Sequence, residues 1–320
     1  SWRYHQQKGQ KTTLQLARSW AMEELLPENP ALAQEAYTPQ LPTDPGLQFR
    51  KRAFFERLSD VQRARLLDRP VFRADSIPMN SVRVELSAYY YDLRHFLPYD
   101  YIVTSSSVRG RYEADPQRFP RQVEFYKELE NYTQMVKSFA PEGRRKGPTI
   151  RFYHFSAQDK ARLVADKGPF DPQDYREFLD RLHAPQFYAF ASAVAQRALE
   201  AKMWGLAAGE LDVLLEVSQS VGITQERRLH LIERASYAYY EAGAYEKSLA
   251  RSMLYLRDDP NSAQVLGYQG KALEKLGAFQ DALKSYQQCA QVAASQSGQG
   301  EWVAWAQARI AELQARFKGK

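Results

Sequence analysis

From Thr12 to Leu26 the apolar residues Leu14, Leu16, Ala17, Trp20, Ala21 and Leu25 recur at helical spacing, with Thr12 or Thr13 as N-cap and Pro27 and Pro30 as the stop. A short strand is expected over Ala31–Ala36, followed by a proline-rich connection from Pro39 to Pro45. A helix over 49–68 then runs to Pro70. Beyond it the period changes. Val71–Ile77 and Tyr99–Ser105 are rich in β-branched and aromatic residues and read as strands. Phe119–Asn131 reads as a helix with Pro120 in its first turn. Tyr132–Phe139 and Thr149–Phe155 are two further strands, joined through a basic loop. This alternation predicts an α/β domain, a small layered sheet with helices. After Phe155 helix follows helix, broken at Gly168-Pro169, Ala184-Pro185, Gly222 and Pro260. The boundary is therefore set near 156, giving a linker (1–11), an α/β domain (12–156) and an all-α domain (157–320).

The all-α part repeats itself. At an offset of 34, Ser236 falls on Gly270, Tyr239 on Leu273, Gly243 on Gly277, Tyr245 on Phe279, Ser248 on Ala282 and Tyr255 on Cys289. That is the length of a tetratricopeptide (TPR) unit, a pair of antiparallel helices. Small residues such as Gly270 and Ala282 let the two helices approach. Gly243 and Gly277 end the first helix of each pair, where a left-handed backbone costs glycine nothing. The clearest units are 229–262 and 263–296, with a capping helix over 301–317. Gly209, a further 34 residues upstream of Gly243 and followed by Leu211 and Leu214, suggests a degenerate third unit.

Charge and composition narrow the chemistry. The net charge of +6 suits nucleic acid, an anionic membrane surface or an acidic partner. Yet the cations are scattered, and Arg144-Arg145-Lys146 is a run of only three, with no zinc-finger or RNA-binding signature beside it. Nucleic acid is therefore excluded as a partner class. One cysteine, Cys289, allows no intrachain disulfide. His5, His95, His154, His183 and His230 have no metal-ligand spacing, so no metal is implied. Neither G-x-G-x-x-G nor a P-loop is present, so no cofactor is implied. The run Ser105-Ser106-Ser107 lacks a nucleophile elbow and reads as a polar loop. No self-contained active site is visible, and no stretch of about eighteen apolar residues spans a membrane.

Three stretches, TTLQLARSWAMEELLPENPALAQEAYTP, YYDLRHFLPYDYIVTSSSVRGRYEADPQRFPRQVEFYKELE and GPTIRFYHF, resemble a recurrent region of bacterial membrane glycosyltransferases. It is the soluble region after the last membrane span in enzymes of the dolichyl-phosphate-mannose–protein mannosyltransferase type. The similarity covers roughly residues 10–155. It implies a non-catalytic extracytoplasmic domain over the active-site mouth of a multi-span body that uses a lipid-linked sugar. No catalytic residue carries over to this chain. The start Ser1-Trp2-Arg3-Tyr4 is expected to follow that span, on the periplasmic face of the inner membrane. Two features depart from the pattern. The turn Leu26-Pro27-Glu28-Asn29-Pro30 lacks the usual glycine, and the repeat array is not general in these enzymes.

Two surfaces are expected to act. In tetratricopeptide stacks the first helix of each hairpin lines the concave face. That register points His230, Glu233, Tyr237, Tyr240 and Glu241 inward from one unit, and Gln264, Gly267, Lys271, Glu274 and Lys275 from the next. Such a groove suits a protein or glycan acceptor, and replacing Tyr237 and Lys271 is expected to weaken capture without loss of stability. Arg3, Lys8, Lys11, Arg144, Arg145 and Lys146 are membrane-proximal basic residues suited to anionic headgroups. The alternative whole-chain readings are a stand-alone TPR adaptor and, less favoured, an independent α/β enzyme.

Overall fold

The computed structural model describes residues 11–39, 41, 73–77, 88–171, 174 and 185–318. The helix expected over 49–68, the first two residues of the Val71–Ile77 strand, and Arg3 and Lys8 lie outside them. The chain divides into two compact units, Ser1–Pro169 and Phe170–Lys320.

In the first unit, α1 (Thr13–Trp20) starts from a reciprocal cap. The Thr12 side chain accepts from Gln15 N–H, and the Gln15 side chain accepts from Thr12 N–H. The helix widens at Ala21–Leu25, tightens at Leu26–Glu28 and stops at Asn29, whose φ is 49°. Asparagine is among the few side chains that visit this left-handed region readily. Asn29 thus does at this turn what a glycine would do.

Among the described residues, five strands form one sheet, ordered β2-β1-β3-β5-β4: β1 (Ala31–Gln34), β2 (Arg73–Ser76), β3 (Tyr101–Ser105), β4 (Gln134–Phe139) and β5 (Ile150–His154). β1 runs parallel to β2 and β3, whereas β5 is antiparallel to β3 and β4. Against one face, Ala17, Ala21 and Leu25 pack on Leu32, Val103, Ile150 and Phe152. Trp20 meets the Phe152 ring edge-on at 4.8 Å.

The serine run is a correction. Ser106 and Ser107 open a helix, α2 (Ser106–Glu113), because the Ser105 side chain accepts from Ser107 N–H and caps it. With α3 (Pro120–Tyr132) and two short 3-10 segments, Ala88–Tyr91 and Leu93–Phe96, α2 builds an aromatic cluster. In it Tyr91 meets Tyr112 and Phe125, each at 5.2 Å, and Phe96 meets Phe125 at 5.6 Å.

The expected boundary at 156 also shifts. Helix α4 (Ala157–Lys167) packs on α3 in the first unit: Tyr132 donates to Asp166 at 2.9 Å, and Lys167 pairs with Glu128.

The second unit is an all-α stack of TPR-like hairpins. The helices are α5 (Pro185–Glu200), α6 (Trp204–Val221), α7 (Gln225–Glu241), α8 (Tyr245–Asp258), α9 (Ala263–Lys275), α10 (Phe279–Ser295) and α11 (Gly300–Lys318). Each packs on the next, and α9 also touches α7 and α11. The turns after α7 and α9 are the same motif. Gly243 and Gly277 sit at φ 77° and 78°. Gly243 and Ala244 donate to Tyr240 and Tyr239 carbonyls, and Gly277 and Ala278 to those of Glu274 and Leu273. Between the paired helices, a methyl added at Gly270 would overlap the Tyr286 ring. The equivalent Ser236 instead shares a buried hydroxyl cluster with Ser248 and Ser252.

An upstream hairpin exists, α5 with α6, but Gly209 is not its turn: it is buried inside α6. The turn is at Lys202, φ 57°, with Lys202 and Met203 donating to Leu199 and Ala198 in the same pattern. Lys202 lies 41 positions before Gly243, where the next interval is 34. The difference of 7 is about two helical turns, so α6 stays in phase while running longer than α8.

Candidate functional site

Tyr237 occupies a first-helix position on α7, with its ring against Trp204 at 5.5 Å and Tyr268 at 5.4 Å. Tyr268, on α9, in turn meets Trp302 of α11 at 6.4 Å, and Trp302 meets Trp305 at 5.3 Å. All five rings are half-buried, so a row of aromatic surface runs from α6 across α7 and α9 to α11. Gln264 steers the row by donating to the Tyr268 hydroxyl at 2.9 Å.

Lys271 stands beside this row. Its ammonium lies 5.6 Å from the Tyr240 ring, 5.7 Å from Tyr268 and 5.1 Å from Trp305. Desolvation lowers its pKa, opposed by Glu241 and reinforced by Arg309. Glu233 is half-buried, and desolvation raises its pKa against the pull of His230, Arg234 and a hydrogen bond from Gln264. Burial raises the Tyr237 hydroxyl as well, helped by Glu241.

The structure thus brings Glu233, Tyr237, Tyr240, Gln264 and Lys271 around one aromatic row. His230, Glu241 and Lys275 are exposed at its margins. Two expected groove positions are committed within the stack instead. Gly267 is covered by Trp302 and Trp305, whose ring atoms would come within 2.8 and 3.1 Å of a methyl added there. Glu274 accepts from Arg309 at 2.6 and 2.7 Å and from the Tyr286 hydroxyl at 3.1 Å.

Sequence reasoning missed Trp204, Tyr268, Trp302 and Trp305. Two of them carried a signal: Trp302 stands 34 positions after Tyr268, and Trp305 stands 34 after Lys271. Reading the last helix as a cap cut the register short of both. Trp204 follows the turn residue Lys202 by two positions, as Tyr245 follows Gly243, and the misplaced upstream turn hid it.

In the first unit, Lys11, Arg144 and Lys146 are exposed, and Arg145 lies 3.7 Å from Glu142. Thr13 N–H donates to the Lys146 carbonyl at 3.1 Å, which brings Lys11 to the same end as the basic loop. No described helix is long and apolar enough to cross a membrane.

No family model matches the chain, and no curated protein does. Among solved structures, it is similar to PcrH in complex with the chaperone binding region of PopD, at 16% identity and a TM-score of 0.36, over 42% of this chain and 95% of that one. It is also similar to the TPR2AB domain of yeast Sti1 in its pHSP90 complex, at 10% identity and a TM-score of 0.36, over 79% of this chain and 75% of that one.

Proposed function

We propose that the second unit holds a protein segment against the first-helix face, with Trp204, Tyr237, Tyr268 and Trp302 as the floor. The supporting observation is the row itself. Four half-buried rings in contact across successive helices offer rigid stacking area at low entropic cost, and their polar tips can fix a backbone. The same floor suits a sugar ring, so a glycan acceptor is the second occupant. A photo-crosslinking residue at Tyr237, against one at Met253, tests the assignment; Met253 is 58% exposed on α8. One partner captured from position 237 and absent from 253 is the expected result, and equal capture from both sites overturns it.

The finer setting rests on the sequence resemblance alone. In that reading the chain is the non-catalytic periplasmic region of a membrane glycosyltransferase that uses a lipid-linked sugar. Its own transmembrane body precedes Ser1, and the repeats recruit the acceptor. The other reading is a stand-alone adaptor. Coding sequence upstream of Ser1 separates them: about ten apolar segments of spanning length support the first, and a start codon directly before Ser1 removes it.

A further inference from the structure

The edge strand β4 is exposed from Gln134 to Ser138. Its pairing with β5 skips a residue: Met135 stands opposite Tyr153 and Lys137 opposite Phe152, leaving Val136 as the extra one. A bulge of this kind re-aims side chains and disturbs the ladder. Here two consecutive apolar side chains reach solvent, Met135 at 52% and Val136 at 39% exposure. The bulge and Lys137 also discourage pairing of another strand along this edge.

The hairpin itself is strongly basic. Between Gln134 and His154 the hairpin carries Lys137, Arg144, Arg145, Lys146 and Arg151 against the single carboxylate Glu142. Its loop is fixed in place. Thr13 N–H holds the Lys146 carbonyl at 3.1 Å, and Arg145 N–H closes a turn on the Glu142 carbonyl at 3.0 Å. Gly147, at φ 124°, lies so close to α1 that a methyl there would overlap Thr13 Oγ1. The cations are therefore presented by a pinned turn, with Lys11 beside it.

Protein interfaces exclude charge from their apolar centres and are depleted in lysine. Nucleic-acid contacts need cations but have little use for exposed aliphatic side chains on a strand edge. A bilayer bearing anionic headgroups uses both, because its surface potential attracts cations and its headgroup boundary accepts aliphatic side chains. We propose that the β4–β5 hairpin is a docking surface for an anionic lipid bilayer. Met135 and Val136 enter the interfacial layer, and Lys11, Lys137, Arg144, Arg145 and Lys146 face the headgroups. This surface is separate from the aromatic row and does not depend on what that row binds.

The test is sedimentation of the 320-residue chain with phosphatidylcholine vesicles, with and without phosphatidylglycerol. Binding is expected only with phosphatidylglycerol, and it should fade as salt shortens the screening length. Each cation near such a surface is worth roughly fivefold in partitioning, so Arg144→Gln, Arg145→Gln and Lys146→Gln together should lower it by roughly a hundredfold. Met135→Asn with Val136→Asn leaves the charge unchanged and should also weaken binding severalfold, with an unaltered melting curve. Equal binding to vesicles without phosphatidylglycerol overturns the proposal, as does no binding to either kind. Salt-sensitive binding that ignores the Met135/Val136 change would mark a general polyanion patch. Tighter binding to a DNA duplex at the same salt would do likewise, and either result rejects the lipid assignment.

Discussion

The Tyr126 hydroxyl donates to the carboxyl of Glu35 inside the first unit, joining α3 to the end of β1. The other Glu35 oxygen accepts from Ser105 N–H at 2.9 Å, just ahead of α2. Glu35 is 2% exposed. Burial pushes its pKa from 4.5 to about 7, although Tyr126, Ser105 and Arg109 all favour the ionised form. The value in the fold lies above that of the unfolded chain, so the folded unit holds an extra proton between about pH 4.5 and 7. The stabilisation from this group is complete below pH 4.5 and is lost as pH rises through about 7. At about 1.4 kcal/mol per pKa unit, the swing is about 3 kcal/mol. Tyr91, Tyr112 and Tyr126 are all raised above the usual tyrosine range by burial and stay neutral throughout this window. Glu35→Gln should therefore match the parent in urea melts at low pH and exceed it in stability at pH 8. A variant weaker than the parent at pH 8 would show that the ionised carboxylate is the favoured partner.

Gly270 and Tyr286 share one volume between α9 and α10. The position calls for glycine on packing grounds, since its φ is not in the left-handed region. Gly270→Ala should force the buried Tyr286 ring aside and cost about 1–3 kcal/mol, lowering the melting temperature by several degrees. Gly243→Ala is the contrast. It meets no neighbouring atom but must adopt φ 77°, and about 1 kcal/mol is expected from that conformation alone. Thermal melts of the two variants check both numbers. A Gly270 variant as stable as the parent would mean that α10 can slide away from α9.

The repeat was legible because its rules are local. A glycine two positions before an aromatic, and small residues one helix face apart, recur at Gly243 and Gly277 without reference to any other segment. The upstream hairpin keeps the same turn geometry but uses Lys202 in place of glycine and a longer second helix, so an offset of 34 passed over it. Strands were expected at all five places where the described residues form them, and wherever a described end moved it was trimmed by one or two residues. Glu35 was not, because a carboxylate between Gln34 and Ala36 reads as a polar strand end. Its burial depends on Ser105 and Tyr126, which are 70 and 91 positions away. The serine helix was masked by the same limit. Ser105 caps it only once β3 has delivered the chain to that point.

Tyr237 and Lys271 both carry packing as well as candidate binding surface. Tyr237 lies between two rings, and Lys271 lies over three. Aromatic pairs and cation–ring contacts are each worth about 1 kcal/mol. The double change Tyr237→Ala with Lys271→Ala should therefore destabilise the second unit by about 2–5 kcal/mol, so unchanged stability is not the expectation. Tyr237→Phe with Lys271→Met keeps the apolar bulk while removing the hydroxyl and the charge. This pair should melt within about 1 kcal/mol of the parent and still weaken capture of the partner in a pull-down. Full capture by the second pair would put recognition on the rings alone.

Glu274 and Arg309 fasten the last helix. Arg309 reaches both Glu274 oxygens from α11, and Arg316 approaches the same carboxylate at 3.6 Å from about two helical turns further on. The Tyr286 hydroxyl completes the set at 3.1 Å, so one carboxylate ties α11, α9 and α10 together. Its side chain is 13% exposed and that of Arg309 is 29%. A pair this sheltered is charge-assisted and screened less than a surface pair. Glu274→Gln keeps the shape and one acceptor but removes the charge that two guanidinium groups share. Arg309 would then face desolvation with only Glu312 opposite, and a loss of about 1–3 kcal/mol is expected for a hydrogen bond to a charged group left incomplete. The loss should be local. Hydrogen exchange should speed up along Trp302–Leu313 while amides of α7 and α8 keep their protection, because α11 packs mainly on α9 and α10. Uniform loss of protection over the whole stack would show that α11 and the hairpins open as one cooperative unit. Unchanged exchange would assign the hold on α11 to Trp302 and Trp305 packed on Gly267.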